Sequence, residues 1–435
     1  MKRRSWLVLL AVALAAIVAS FAATAGYGGK AKPAAQQQGG GEIEVLSLWG
    51  GSEKDAFIKV ANAFTEKTGI KITYTTARDF VPIIRTRLAA GNPPEVAIIP
   101  RPGVLADLAR QGAVKQLSTM GITNAYMKAR YGPAWIQLGT VNGRLYGVAA
   151  KANSKTTIWY RPDQFKKYKF KTPKTWAQLI ALTKSMKSKG LQPWAQGAKD
   201  SWTLTDWFED VYLRTAGPAK YNQLFTGKLK FTDASVKRAI QQMLQVLNNR
   251  YLIGGVQGAL GTAFVDGIGR VFGTKGTRAQ LYMEGGFVGG IATQQVNKNL
   301  RAGKTIDFFP FPTINPKWGN PLLGAGDLAA AFKDSPQIRT FLRYISSAEA
   351  GRIWVSTGAI ISPNKQVGGT AYPNALVRKE AAQVKAAKVF RFDGSDLLPG
   401  TLADDWGALL QNALQRPGGV NGALSDFQEK AAKEF

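Results

Sequence analysis

EIEVLSLWGGSEKDAFIKVANAFTEKTGIKITYTTARDFVPIIRTRLAAGNPPEVAIIPRPGVLADLARQG, residues 42–112, alternates short apolar runs with longer stretches of helical period. Ile43 to Trp49 reads as a strand. Ser52 then precedes an amphipathic helix with Phe57, Val60, Ala61 and Phe64 on one face, closed by Thr68-Gly69. Ile70 to Thr75 is a second strand and Val81 to Ala90 a second helix, stopped by Gly91-Asn92-Pro93-Pro94. Val96 to Ile99 is a buried strand, and Val104 to Arg110 a helix closed by Gly112. This β-α-β-α-β-α order predicts a largely parallel sheet with right-handed crossovers. Ligands of such sheets sit at the carboxyl ends of the strands, here the loops 49–53, 76–80 and 100–103.

The rest of the chain continues as α/β but richer in helix. Trp176 to Met186, Leu204 to Thr215, Ser235 to Asn249, Pro336 to Ser346 and Ala348 to Ser356 read as helices, followed by a final helical region from about Asp404. Gln280 to Met283 and Ile306 to Phe311 read as strands, the latter an edge or crossing segment because of Pro310 and Pro312. At 435 residues the chain is too long for one ordinary domain, so two lobes are expected.

Composition removes several chemistries. The chain has no cysteine and no histidine, which excludes disulfides, thiolate nucleophiles, Cys/His zinc sites and imidazole acid-base work. Carboxylate-pair hydrolysis and plain binding survive. A formal charge of +29 suggests an anionic partner. The excess is local: residues 153–305 hold 24 basic against 8 acidic residues. Its densest stretch runs from Lys155 to Lys189, where Asp163 is the single acid, and reads as a solvated outer face or a contact with an anionic envelope surface.

Lys2, Arg3 and Arg4 precede an apolar run from Trp6 to Ala23, and Ala23-Thr24-Ala25 offers a small-x-small cleavage pattern, so residues 1–25 read as an export signal. An uncleaved anchor is the other reading, since the run could just span a bilayer. Residues 26–41, rich in Gly, Gln, Ala and Lys, form a flexible tether. Ala25-Gly26-Tyr27-Gly28-Gly29 resembles a lipoprotein box with Tyr27 in the place of the lipidated cysteine, so no thioether lipid is expected there.

Eight further strings, in order, carry a family resemblance: Ser47-Leu48-Trp49-Gly50-Gly51, Phe64 to Ile72, Gly91 to Val96, Gly143-Arg144-Leu145-Tyr146-Gly147-Val148, Trp159-Tyr160-Arg161-Pro162, Pro173-Lys174-Thr175-Trp176, Met283-Glu284-Gly285-Gly286-Phe287 and Ser347-Ala348-Glu349-Ala350-Gly351. In these the sequence resembles the extracellular solute-binding proteins (family 1) of carbohydrate ABC importers, the type II periplasmic-binding-protein group that includes maltose-binding protein. The resemblance implies a two-lobed α/β fold with a hinge and an interlobe cleft that closes on a ligand. It places lobe one at about 42–152 and 306–360 and lobe two at about 153–305 and 361–435, with crossings near 151–154, 305–309 and 360. Lys151 stands near the hinge where maltose-type relatives often carry an acid, and Phe287 where many carry a stacking tryptophan; both argue against maltose itself.

A sugar site needs flat aromatic platforms and planar hydrogen-bonding groups. From the first lobe the candidates are Trp49, Gly51 and Ser52 at the first helix start, Arg78 and Asp79, Arg101, and Lys151. Lobe two offers Trp194, Asp200 and Trp202 in an aromatic-acid cluster with Ser201 and Asp206, together with Glu284 and Phe287. Asp327 in Gly324-Ala325-Gly326-Asp327 and Arg391 in the polar loop 391–396 complete the set. The expected function is capture of an oligosaccharide or glycoside for delivery to an ABC permease, by a monomer, without cofactor, metal, catalysis or nucleic acid. The runner-up ligand is anionic, a sugar acid or phosphorylated polyol, because Arg78, Arg101, Lys151 and Arg391 could place positive charge in the cleft. A carboxylate-dependent glycoside hydrolase using Asp79, Asp200, Glu284 and Asp327, and a polyanion-binding protein, stand behind these.

Overall fold

The computed structural model describes residues 40–276 and 278–435. The expected signal, Tyr27 and the tether up to residue 39 lie outside the described residues. The described strands are β1 (Glu42–Ser47), β2 (Lys71–Thr76), β3 (Val96–Ile99), β4 (Thr140–Val141), β5 (Arg144–Leu145), β6 (Val148–Ser154), β7 (Thr157–Tyr160), β8 (Gln192–Ala195), β9 (Ala279–Met283), β10 (Asp307–Pro310), β11 (Leu322–Ala331) and β12 (Phe390–Phe392). They build two sheets and the small β4-β5 hairpin.

The first sheet has the order β12-β11-β3-β1-β2, with β6 also on β11. As the opening stretch predicts, β1 lies parallel to both β2 and β3. The helix Gly51–Thr68 between β1 and β2 buries Ala56, Phe57, Val60, Ala61 and Phe64, and it ends where Gly69 adopts φ 73° and returns its N–H to the Thr65 carbonyl. Ser52 lies inside this helix, one residue past its start, and its side chain caps nothing.

The second sheet has the order β10-β7-β9-β8. β10 is an edge strand, the position its terminal Pro310 tolerates. Alternation along these strands feeds two cores: Ile158, Leu281 and Phe309 enter one with Leu179, Trp207 and Trp406. Trp159, Tyr282 and Phe308 point to the other, with Phe264 and Ile268. A third core under the first sheet gathers Val45, Val96, Ile98, Phe341 and Trp354. No helix among the described residues is long and apolar enough to cross a membrane.

Two strands govern the passage between sheets. β6 and β11 are buried along their whole lengths and run antiparallel, with Lys151 opposite Asp327 and a register shift just after it. Two residues after β6 the chain has entered β7 of the second sheet, so the crossing occupies Lys155 and Thr156, immediately beyond the 151–154 expected. The return is later than the expected 305–309, because Asp307 to Pro310 still pair with β7. Phe390 to Phe392, expected in lobe two, pair with β11 in the first sheet, and the helix Leu402–Gln415 after them buries Trp406 and Leu410 in the core of the second.

Candidate functional site

Trp49 closes the end of β1, and its indole is only 1% exposed, packed on Phe57 and edge-on to Trp354 at 5.2 Å. Its Nε1 donates to Asp327 Oδ2 at 3.0 Å. Lys151 reaches the same acid at 3.4 Å and Glu53 Oε1 at 2.9 Å, with its Nζ 4.8 Å from the centre of the Trp49 ring. Burial works against the charge on Lys151, but Asp327 and Glu53 outweigh it and hold its pKa above the ordinary value. Burial raises Asp327, and Lys151 pulls it back only in part. Trp49, Lys151 and Asp327 are thus brought together, with Glu53, which sequence reasoning missed, as the third charge.

A second cluster lies four residues further on. Lys155 is buried, unlike the solvated face expected of the run it begins, and its Nζ sits 2.7 Å from Asp206 Oδ2 and 3.2 Å from Asp393 Oδ2. Trp202 and Phe287, both half-buried, flank the same ammonium, which lies 4.9 Å from one ring centre and 5.5 Å from the other. Phe264 completes an aromatic trio, 4.9 Å from Trp202 and 5.6 Å from Phe287. Glu284 is wholly buried, takes the Gly285 N–H at 3.2 Å on Oε2, and leaves Oε1 without a partner; Asp206 Oδ1 is likewise unpartnered. Burial raises the pKa of Asp206, and pushes Glu284 up to about 7 against the pull of Lys155. Burial also opposes the charge on Asp393, yet Lys155 and hydrogen bonds from neighbours hold it below the usual carboxylate range. Asp393 is further fixed by the Ser395 hydroxyl at 2.9 Å.

Elements packed on the first sheet meet elements packed on the second on both flanks of this region. On one flank Gly51, at φ 53°, faces Gln295, and a Cβ there would overlap the Gln295 side-chain oxygen. On the other, Arg101 bonds Asp404 at 2.7 Å and lies 3.6 Å from Asp396, Gly103 touches the Leu398 carbonyl, and Asp107 accepts the Gly400 N–H at 2.8 Å. Arg101 is therefore committed to two acids. Arg78 and Asp79 are exposed; the Arg78 guanidinium lies against Gly50, and Asp79 begins the helix Phe80–Ala89 without capping it.

Three expected residues lie elsewhere or do other work. Trp194 is fully buried in the second-sheet core, edge-on to Trp207 at 5.1 Å, with its Nε1 donating to Thr183. Asp200 accepts the Phe264 N–H at 2.6 Å, fixing the backbone that presents that ring. Arg391 spends its guanidinium on the Phe390 and Pro218 carbonyls. Lys155 was hidden because it opens a run of lysines; the available signal was its place in the short link between two strands. Asp393 and Asp396 belong to the polar loop from which only Arg391 was chosen, and Phe264 carried no pattern in the sequence.

The description "bacterial extracellular solute-binding protein" fits residues 50–352. The chain belongs to the bacterial extracellular solute-binding protein family. This solute-binding protein is 33% identical over 386 residues to the osmoprotective compounds-binding protein GgtB of Synechocystis sp., covering 88% of this chain and 90% of that one. It is 31% identical over 377 residues to the alpha-glucosides-binding periplasmic protein AglE of Rhizobium meliloti, with 83% and 81% covered. Among solved structures it resembles the bacterial solute receptor AcbH, described with a preference for β-D-galactopyranose, at a TM-score of 0.81 and 21% identity over 91% of this chain and 99% of that one. The raffinose complex of RafE matches at a TM-score of 0.71 and 20% identity, with 90% and 99% covered. The fold is accordingly the two-lobed α/β architecture of periplasmic sugar-binding proteins.

Proposed function

We propose that this solute-binding protein captures a neutral sugar or glycoside between its lobes and presents it to the membrane subunits of an ABC importer. The carrying observation is the Lys155 cluster: Trp202 and Phe287 offer half-buried ring faces beside the buried acids Asp206 and Glu284, whose unpartnered oxygens would become acceptors for sugar hydroxyls once the lobes open. Trp49, Asp327 and Lys151, whose polar groups are spent on one another and on Glu53, act as a buried support for the first-sheet side of the site and not as its contact surface. The name of AglE, an alpha-glucosides-binding protein, supports the ligand class. We assign the first sheet with its core to one lobe and the second sheet with its two cores to the other, hinged at Lys155-Thr156 and between β10 and β11. Ligand contacts made by both lobes would favour the closed arrangement.

An anionic ligand is the weaker reading. Arg101 is held by Asp396 and Asp404, Lys151 by Glu53 and Asp327, and Arg391 by backbone carbonyls, while acids outnumber the cation around Lys155. The signal at 1–25, with no cysteine for a lipid, supports an exported, extracytoplasmic protein. Binding without turnover is expected, by a monomer. Calorimetric titration with α-glucosides, sucrose, sugar acids and glycerol phosphate tests the reading: saturable heat with intact neutral sugars is expected. Binding confined to the anionic compounds, or release of cleaved glycoside, would overturn it.

A further inference from the structure

The lysines after Lys155 are not absorbed by the cleft. From Gln164 to Lys199 the chain holds nine lysines and no acid. Seven of them are carried by the helix Pro162–Tyr168, the loop after it and the helix Trp176–Ser188, and Lys189 follows directly on that helix. Both helices cover the same side of the second sheet, since Phe165 of the first and Trp176, Leu179, Leu182 and Met186 of the second enter the core that also receives Ile158 and Leu281. With their apolar sides turned in, Lys166, Lys167, Lys171, Lys174, Lys184 and Lys189 are exposed. Asp163, the nearest acid in sequence, is taken by Arg161 at 2.7 Å, and among the described residues none of these lysines is in an ion pair.

Aromatic rings stand within this basic face. Tyr168 and Phe170, both half-buried, stack at 5.7 Å with 24° between planes, and Lys167 Nζ lies 5.3 Å from the Tyr168 ring centre. Lysines around a ring pair that is apolar in body and polar at one edge match the headgroup region of a bilayer with anionic lipid. Soluble polyanions would use the charge but gain nothing from the rings.

We propose that this face docks on an anionic phospholipid bilayer and holds the protein against the outer surface of its membrane, independently of the ligand cleft. The attraction is additive over the lysines and fades within a Debye length, so it is short-ranged and reversible by salt.

Sedimentation of the full chain with phosphatidylcholine vesicles, with and without phosphatidylglycerol, tests this. The apolar run 6–23 contributes to both vesicle types, so the readout is the ratio between them. A ratio of about tenfold or more at low salt, collapsing at high salt, is expected. Replacing Lys166, Lys167, Lys171, Lys174 and Lys184 by Gln should abolish the ratio, whereas replacing Lys59, Lys115, Lys128, Lys275 and Lys298, an equal change in net charge elsewhere, should retain most of it. Unchanged thermal unfolding of both variants verifies the fold. Equal binding to the two vesicle types overturns the proposal, as does an equal loss in both variants. So does tight binding of soluble polyphosphate by the face with no preference for anionic vesicles, which would assign it to a wall polymer instead.

Discussion

Lys151 and Lys155 are two buried ammonium groups four residues apart, and they are not equivalent. Lys151 is matched by Glu53 and Asp327, and the Asp327 Oδ2 it contacts also takes the Trp49 indole N–H, so that no buried polar atom of Glu53, Lys151 or Asp327 is left without a partner. Around Lys155 stand Asp206 and Asp393 in contact, with Glu284 and Asp396 close enough to act on its charge. Two carboxyl oxygens there have no partner. A satisfied buried cluster fixes geometry, whereas an unsatisfied one beside half-open rings is prepared for something not yet bound. Strand geometry makes the contrast possible: Lys151 lies within β6, clamped opposite Asp327, while Lys155 lies in the two-residue crossing that leaves it.

Lys155→Met should have the largest effect. It leaves buried Asp206 and Asp393 without the one cation that contacts them among the described residues, for a destabilisation of about 3–5 kcal/mol in urea unfolding. Ligand affinity in the variant that still folds should drop by at least about a hundredfold, ~2.7 kcal/mol. Retained affinity would separate Lys155 from the binding site. Lys151→Met should cost about 3 kcal/mol of stability by the same reasoning. Its affinity, read by calorimetry, should change by less than about tenfold. A collapse of binding here would make the Lys151 cluster a contact surface and not a support.

The fold was legible because its information is local. The run from Ile43 to Gly112 carries strand lengths, helix periodicity and stop signals in a few dozen residues, and β1, β2 and β3 follow it. The return crossing after Pro310 and the placement of Phe390 to Phe392 depend on pairing between segments distant in sequence, which no local pattern encodes. Site residues divide the same way. Glu284 and Phe287 lie where a strand ends at glycines, a readable feature, while Phe264 reaches the trio only because Asp200 fixes its backbone from another segment. Trp194 and Trp202 look alike in sequence. Burial tells them apart, and burial is a property of the assembled core.

That pair gives a finer comparison. Trp202→Ala should weaken ligand binding by roughly tenfold or more, ~1.4 kcal/mol, through the loss of a ring face. Trp194→Phe removes the hydrogen bond to Thr183 and should cost about 1 kcal/mol of stability while leaving affinity unchanged. The reverse pattern, with affinity following position 194, would show that the exposed ring is not the platform.

The smallest effect is a pH slope. Burial raises Glu284 to about 7, Glu380 to about 7 and Asp210 to about 6, and burial with the neighbouring Glu284 and Asp393 raises Asp206, so the folded state holds protons that the unfolded chain has already released. Stability contributed in this way is present at low pH and is lost as pH rises from the ordinary carboxylate range to about 7. Asp393 runs the other way, but its lowered pKa confines its effect to more acid solution. Unliganded protein should therefore lose resistance to urea between about pH 5 and pH 7.5, the opposite of a chain whose acids are mostly ion-paired. Glu284→Gln keeps the shape, removes one of these protons and should flatten the slope, by at most roughly 1.4 kcal/mol per pH unit. If the slope of the variant matched that of the wild type, Glu284 would be ionised throughout. The contrast between the matched Lys151 cluster and the overfilled Lys155 cluster would then rest on geometry alone.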